Sequence, residues 1–298
     1  MSFKKCKNLN CFGYFGMIVD LNGYLEKPKP RLRFRVTTIR NDQYALITGA
    51  SQGLGKSFAM ELASKNINTV LVSLPGENLS AVSQEIRDKY GVDSHYFELD
   101  MTIPEELDAF AEHVNERFEV FLLINNAGIG GTMKFDEAQT RDIDSIIKLN
   151  VWVVSVMAHK ILPNLLRQPK AFMLNVSSIA AGSPIGYKTV YPASKAFIYS
   201  FSLGLNEELK NTNVSVSVVN PGPMATNEEG SSRLNKHGLV ARMITLQPDE
   251  VAAYCVANVF KRKRVIRVNF WSWLIMNNVP VWIKLPLLTE AVRKEIAG

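Results

Sequence analysis

From residue 44 onward, short runs of β-branched and apolar residues alternate with longer stretches whose apolar positions recur every three or four residues. The first pattern is typical of strands buried on both faces, and the second is typical of amphipathic helices. Their regular alternation predicts a parallel sheet covered by helices on both sides. Seven strands are predicted, at Tyr44–Thr48, Thr69–Ser73, Ser94–Glu98, Val120–Asn125, Ala171–Ser177, Val214–Asn220 and Val265–Val268.

These elements predict one α/β domain with a doubly wound, seven-stranded parallel sheet of the Rossmann type. With 298 residues, of which 47% are hydrophobic and 21% charged, the chain can bury a large core, and its composition does not indicate disorder. We expect three segments along the chain. They are a basic N-terminal extension at 1–43, the α/β domain itself at 44–269, and an apolar tail at 270–298.

Positive charge is concentrated at the start of the chain. Residues 1–43 contain nine Lys and Arg against three Asp and Glu, whereas residues 44–298 contain 25 of each class. This extension fits a solvated charged segment, or a surface that meets an anionic membrane or an acidic protein. The alternation over 31–36 also fits a short extra strand. Nucleic acid is not expected as a partner.

The three cysteines are Cys6, Cys11 and Cys255, an odd number without metal-like spacing to the four histidines. This pattern favours a reducing compartment and no metal site. The apolar stretch at 11–19 is too short to span a bilayer and ends at Asp20. We therefore expect a cytoplasmic protein, with peripheral membrane contact left open.

The first predicted strand runs directly into Thr48–Gly55, which reads TGASQGLG, and then into an amphipathic helix. Glycines at such a turn let the backbone approach a pyrophosphate, whose charge is met by the N–H groups and dipole of the helix N-terminus. The strand–turn–helix context therefore predicts a nucleotide site. The candidate contacts are Gly49, Ser51, Gln52, Gly53, Leu54 and Gly55.

The spacing Thr-Gly-x-x-x-Gly-x-Gly resembles that of the short-chain dehydrogenase/reductase family, in its single-domain branch, and the resemblance extends over 44–269. Further family motifs follow in order: Asn-Asn-Ala-Gly at 125–128, a serine thirteen residues before a Tyr-x-x-x-Lys, and Pro-Gly-x-x-x-Thr at 221–226. The resemblance implies a catalytic set of Asn150, Ser178, Tyr191 and Lys195. It also implies cofactor contacts from Ser73, Asp100, Met101, Asn126, Ala127, Gly128, Tyr191, Lys195, Pro221, Gly222 and Thr226.

The tyrosine and lysine also have a direct physical interpretation. Residues four apart on a helix share a face, so Lys195 can lie beneath the ring of Tyr191. An ammonium there is expected to lower the tyrosine pKa from about 10 and make the phenol a usable acid or base. Ser178 would donate a hydrogen bond to the reacting oxygen, while strand alternation points Ser177 the other way. By the resemblance, Asn150 lies at a helix distortion and holds a water that links Lys195 to solvent.

The second strand ends in Ser73-Leu74-Pro75, without the carboxylate that binds a ribose 2′-OH and repels a 2′-phosphate. NADP is therefore the expected cofactor, with NAD as the alternative. The tail contains Trp271 and Trp273 and is broken by polar residues and Pro280, so it cannot be a continuous membrane span. It fits a substrate lid, a subunit contact or a membrane-interface segment.

Together these features predict an NAD(P)-dependent reductase of an apolar ketone, such as a steroid, a 3-oxoacyl chain or another lipid-like ketone, working as a homo-oligomer. Two other classes stay open. One is a non-catalytic dinucleotide-binding regulator, which would have no need of the complete catalytic set. The other is a membrane-associated scaffold that acts through the two terminal segments.

Overall fold

The computed structural model describes residues 40, 42–222, 224, 246–268, 274, 276 and 278–297. These residues belong to one compact unit. The predictions made for most of the basic extension, for Thr226 and for Trp271 and Trp273 lie outside the described residues. The proposed division at residues 43 and 269 therefore stays a prediction.

The seven predicted strands form one sheet, and every neighbouring pair is parallel. Their order is β3-β2-β1-β4-β5-β6-β7. Strands β2 and β3 are added on one side of β1 and strands β4 to β7 on the other, so the switch point lies between β1 and β4. Ligands of such sheets bind at this switch point, beyond the carboxyl ends of the strands. The strands are β1 (Gln43–Thr48), β2 (Asn68–Ser73), β3 (Ser94–Glu98), β4 (Glu119–Asn125), β5 (Ala171–Val176), β6 (Val214–Val219) and β7 (Val265–Ile266).

Helices cover both faces of the sheet. On one face they bury Phe58, Leu62 and Cys255 against the strands, and on the other they bury Phe110 and Met157. The fold is therefore the predicted doubly wound α/β domain. The helices are α1 (Gly53–Ala63), α2 (Leu79–Tyr90), α3 (Pro104–Arg117), α4 (Thr140–Ile147), α5 (Val154–Arg167), α6 (Val190–Glu208), α7 (Pro248–Val259) and α8 (Val281–Ala297).

Helices α4 and α5 are joined by a π-helical segment, Lys148–Val153, into one helix over Thr140–Arg167. Within the described residues, this is the one helix long and apolar enough to cross a membrane by length and composition. Two of its apolar side chains, Met157 and Ile161, are fully buried in the core against the sheet. Of its 18-residue apolar window 39% is buried, so core packing accounts for part of its hydropathy.

Candidate active site

A cleft of about 1030 Å³ opens beyond the carboxyl ends of the strands. It is lined by the segments that directly follow β1, β3 and β4, by the ends of β2 and β5, and by the start of α6. Because parallel strands all end at this edge, residues far apart in the sequence meet in one cavity. This is where the predicted site residues gather.

The glycine loop between β1 and α1 passes very close to itself. A Cβ added at Gly55 would lie 1.9 Å from the carbonyl oxygen of Gly49, and Gly49 has a φ of +65°. Both positions therefore require glycine, one for space and one for its backbone conformation. The turn brings the N-terminus of α1, which begins at Gly53, to the cleft.

The segment after β4 is tied to the glycine loop by four hydrogen bonds. Thr48 Oγ1 accepts from the backbone N–H groups of Asn126 and Ala127 at 2.9 and 3.0 Å. In return, Asn126 Nδ2 donates to the carbonyl oxygens of Thr48 and Gly49 at 2.9 and 3.1 Å. These bonds join the glycine loop and the segment after β4 as two neighbouring walls of the cleft.

Tyr191 and Lys195 lie in the first turns of α6, and both line the cleft. Lys195 Nζ is 5.9 Å from the centroid of the Tyr191 ring and donates a hydrogen bond to Val176 O at 3.0 Å. The ammonium group is buried, with Lys195 only 6% exposed. The structure thus brings together the pair that the four-residue spacing predicts.

The two neighbouring serines point in different directions, as strand alternation predicts. Both serines line the cleft, but Ser177 is buried and its hydroxyl donates to Lys195 O at 2.7 Å. Ser178 Oγ accepts from Ala180 N at 3.1 Å and is also hydrogen-bonded to Tyr191. Of the two, Ser178 is therefore the one in reach of a substrate oxygen beside the tyrosine.

Asn150 is fully buried inside the π-helical segment, so the helix distortion implied for this position is present. Its Oδ1 accepts from Ile129 N and its Nδ2 donates to Ile129 O, both at 2.9 Å. Nδ2 also donates to Ser194 Oγ at 3.0 Å. A Cβ added at Gly128 would lie 3.0 Å from Asn150 Oδ1 and 3.1 Å from Lys195 Nζ. Asn150 therefore connects the loop after β4 to the helix that carries the tyrosine and the lysine.

Burial shifts both ionisable groups of the pair toward their neutral forms. Loss of solvation lowers the pKa of Lys195 from 10.5 to about 8. The same cause raises the pKa of Tyr191, against the lowering effect of its hydrogen bond to Ser178. The expectation that the ammonium lowers the tyrosine pKa is thus wrong for the free protein, because desolvation of the phenolate outweighs the favourable interactions.

The described residues predicted to contact the cofactor all line the cleft, whereas Thr226 lies outside the described part. Within that part, no group of three or more His, Cys, Asp or Glu could hold a metal ion. Positions in the cleft do not by themselves establish roles, so the individual assignments stay predictions. The lining residues are Gly49, Ser51, Gln52, Gly53, Leu54, Gly55, Ser73, Asp100, Met101, Asn126, Ala127, Gly128, Tyr191, Lys195, Pro221 and Gly222.

Sequence reasoning missed Glu77, which also lines the cleft. Its Oε2 accepts a hydrogen bond from Ser51 Oγ at 2.5 Å, so a carboxylate reaches back to the glycine loop. The signal available in the sequence was an acidic residue shortly after the second strand, beyond a turn at Gly76 with a φ of +83°. The strand end itself, Ser73-Leu74-Pro75, carries no acid, and Glu77 lies two residues beyond it.

A second group of cleft-lining residues was also missed, in which Met276 and Leu288 come from the C-terminal part of the chain. Both belong to the segment predicted to act as a substrate lid, a subunit interface or a membrane contact, but no motif marks either residue. Ile179 and Ile185, from the segment after β5, line the same cavity. This group makes part of the lining apolar.

Comparison with known proteins agrees with the fold and the motifs. The chain is 35% identical over 187 residues to the very-long-chain 3-oxoacyl-CoA reductase of Anas platyrhynchos, covering 61% of this chain and 60% of that relative. For the Macaca fascicularis reductase of the same name, identity is 32% over 256 residues, covering 82% and 78%. The human inactive hydroxysteroid dehydrogenase-like protein 1 is 26% identical over 276 residues, covering 89% and 82%.

Among solved structures, the chain resembles a short-chain dehydrogenase from Sphingobium yanoikuyae in complex with NADPH. The TM-score is 0.68 at 25% identity, and the match covers 86% of this chain and 95% of that one. The family model described as short chain dehydrogenase matches residues 43–237. The chain therefore belongs to the short chain dehydrogenase family of oxidoreductases.

Proposed function

We propose that the protein is an NADP-dependent oxidoreductase that interconverts a ketone and a secondary alcohol, and that it works as a reductase of an apolar ketone. The observation that carries the proposal is the position of Tyr191 and Lys195 inside the cleft, 5.9 Å between ammonium and ring centroid. Hydride transfer to a carbonyl carbon leaves negative charge on the oxygen. A phenol beside a buried ammonium can meet that charge with a proton.

The glycine loop fits a dinucleotide. A side chain at Gly49 or Gly55 would collide with neighbouring backbone atoms, so the loop must be glycine there. The N-terminus of α1 beside these glycines suits a pyrophosphate. Ser73 and Asp100 would hold the adenosine end, and Asn126–Gly128 would border the cofactor. Pro221 and Gly222 would hold the nicotinamide end. When bound, the cofactor supplies the hydride. The NADPH held by the Sphingobium relative supports the choice of NADP.

The side chains of this chain would share the remaining work. Tyr191 supplies the proton to the substrate oxygen, and Ser178 holds that oxygen by a hydrogen bond beside the phenol. The Lys195 ammonium, held in place by Val176 O, favours the charge that forms on the tyrosine. Asn150 would hold the loop after β4 next to Lys195 through its two hydrogen bonds with the backbone of Ile129, and it does not itself line the cleft.

An apolar substrate is supported by the lining at the substrate end. Ile179, Ile185, Met276 and Leu288 line the cavity next to the catalytic group. Aliphatic linings favour ligands with large apolar surfaces. The names of the relatives refer to very-long-chain 3-oxoacyl-CoA and hydroxysteroid substrates. We therefore propose a steroid, a 3-oxoacyl chain or another lipid-like ketone as the substrate class.

Exposed apolar side chains on α8 bear on the location and assembly of the protein. On α8, Trp282 and Leu287 are 75% and 68% exposed. Large exposed apolar side chains support contact with a membrane interface or with a second copy of the chain. We keep the proposal of a cytoplasmic homo-oligomer with peripheral membrane contact.

The second candidate function is a non-catalytic dinucleotide-binding regulator, favoured by the human relative named inactive. Against it stands the complete set of Asn150, Ser178, Tyr191 and Lys195, with the serine, tyrosine and lysine around one cleft. A regulator needs the glycine loop but not this set. The scaffold alternative would show lipid binding that does not depend on cofactor.

The proposal is tested by mixing the purified protein with NADPH or NADH and a panel of ketones while following the absorbance of the reduced nicotinamide. We expect turnover with lipid-like ketones, and a kcat/KM that falls as pH rises through about 8, where free Lys195 loses its proton. If no steroid, 3-oxoacyl or short ketone is reduced with either NADPH or NADH, the regulator is favoured. A profile that stays flat from pH 7 to about 10 would contradict the role given to Lys195.

Replacing Glu77 with glutamine is expected to tighten NADPH binding about tenfold while leaving NADH binding equal or weaker. An acid that follows the second strand meets the ribose 2′-OH, and its charge repels a 2′-phosphate. The neutral amide keeps the size of the side chain and removes that repulsion. Calorimetric titration of both cofactors measures the effect without turnover.

The matched control for this change is Glu112→Gln, which removes the same charge from an exposed position on α3. It should leave both dissociation constants unaltered. Equal NADPH affinity in wild type and Glu77→Gln would show that the carboxylate does not face the 2′-phosphate.

A further inference from the structure

Helix α8 lies against the segment that follows Ser178. Two side chains of the helix make the connection. Thr289 Oγ1 accepts a hydrogen bond from Gly186 N at 3.0 Å. Lys284 Nζ donates to Gly182 O at 2.7 Å and to Met276 O. One ammonium group therefore joins α8 to the segment after β5 and to the residue that precedes α8 in the cleft lining.

The two glycines of this segment let the parts approach closely. A Cβ added at Gly182 would lie 3.2 Å from Met276 O and 3.3 Å from Met276 Cβ. At Gly186 an added Cβ would lie 2.5 Å from Thr289 Cγ2. The segment after β5 therefore packs directly against Met276 and Thr289 at these two glycines, and the hydrogen bonds lie within this packed contact.

Lys284 has an unusual position for a lysine on a surface helix. It is 7% exposed, while its neighbour Trp282 is 75% exposed, so the helix turns its cation inward and an indole outward. Lysine is rarely buried without compensation, because its charge loses hydration. Burial lowers the pKa of Lys284 accordingly. The two carbonyl oxygens replace part of the lost hydration, and the arrangement persists only while they stay in place.

The same C-terminal segment contributes to the lining of the cleft. Met276, which precedes α8, and Leu288, which lies on it, both line the cavity. Met276 O accepts the hydrogen bond from Lys284, and Leu288 is adjacent to Thr289. Lys284 and Thr289 are separate from the lining residues, since neither of them lines the cavity. Any change that frees Lys284 would therefore move the apolar wall without touching the catalytic group.

We propose that Lys284 is a positioning residue that latches α8 over the cleft, and that Met276 and Leu288 are thereby set as the wall that selects large apolar ketones. The selectivity part of this inference rests on the proposed ketone reduction, whereas the latch itself does not. A substrate long enough to reach this wall depends on the latch. A short ketone, which contacts only the groups around Tyr191, does not.

The first test is Lys284→Met, which keeps an unbranched side chain and removes the donor. We expect KM for a long-chain 3-oxoacyl thioester and for a steroid ketone to rise about tenfold, as loss of hydrogen bonds from a buried charged group predicts. KM for 2-butanone should change less than about twofold. Any fall in kcat should likewise be confined to the long-chain thioester and the steroid ketone. Lys294→Met, an exposed lysine on the same helix, is the matched control and should behave as wild type.

The second readout is amide hydrogen exchange, which needs neither substrate nor turnover. In Lys284→Met, exchange should accelerate in 179–189 and in α8 together, while β1 and β4 keep their protection. Thr289→Val, which removes only the Gly186 bond, should accelerate the same two segments to a smaller extent. Lys294→Met should leave both segments as they are in wild type.

These outcomes separate the inference from the proposed function. If wild type reduces no ketone but exchange rises in Lys284→Met, the latch stands and the ketone reduction fails. If exchange is unaltered in both segments, the latch is overturned whatever the activity. An equal rise in KM for short and long ketones would overturn the selectivity role.

Discussion

Replacing Tyr191 with phenylalanine is expected to lower kcat for ketone reduction by about 10²–10⁴-fold, because the change removes the proton that the substrate oxygen needs. The ring stays, so its packing near Lys195 and the cofactor site should be preserved. KM for the ketone and the dissociation constant for NADPH should change less than about threefold. Steady-state kinetics and a separate NADPH titration measure the two parts of this expectation.

The matched control is Tyr199→Phe, which removes a hydroxyl from a partly buried tyrosine on the same helix. It should retain wild-type turnover and a similar melting temperature. Undiminished reduction by Tyr191→Phe would remove the proposed mechanism. A loss of NADPH binding as large as the loss of turnover would instead place the hydroxyl in cofactor binding.

Replacing Gly55 with alanine is expected to lower the free energy of unfolding by about 3 kcal/mol and NADPH affinity more than tenfold. The added methyl group would lie 1.9 Å from Gly49 O and 2.6 Å from Asn126 Nδ2. The obstructing oxygen is backbone, so the loop itself must shift and with it the N-terminus of α1. Denaturant unfolding and NADPH titration report the two losses independently.

Gly204→Ala is the control for this change and should have the opposite effect on the free energy of unfolding. Nothing lies within 4 Å of a Cβ at Gly204, which is in the interior of α6. Alanine there should raise the free energy of unfolding by about 0.5–1 kcal/mol, since glycine is the poorer helix former. A Gly55→Ala protein with wild-type stability and NADPH affinity would show that the loop tolerates a side chain.

The fold was largely predictable because its signals are local. All seven strands occur where β-branched runs predict them, although β7 is limited to Val265–Ile266 and β5 ends at Val176. The helix expected after the glycine motif in fact begins inside it, at Gly53. Element type follows from hydrophobic periodicity, whereas the ends are decided by hydrogen bonds that periodicity does not show.

The candidate site was predictable only where its residues occur at a recognisable separation along the sequence. Tyr191 and Lys195 share a helical face by their separation, and their proximity is seen in the structure. Glu77 and Lys284 carry no such signal, because their partners Ser51 and Gly182 are distant along the chain. Nothing in the sequence relates those positions before the sheet is assembled.

By itself, the sequence determined the doubly wound sheet, the family, and the set of groups that meet at its carboxyl edge, because strand period, glycine spacing and helical repeat are short-range properties. Tertiary structure alone decided the electrostatics and the walls of the cleft. Desolvation, which depends on everything packed around a group, raises the pKa of Tyr191 where its charged neighbour alone predicts a lower value. The contacts of Glu77, Lys284 and Leu288 likewise arise only when remote segments pack together.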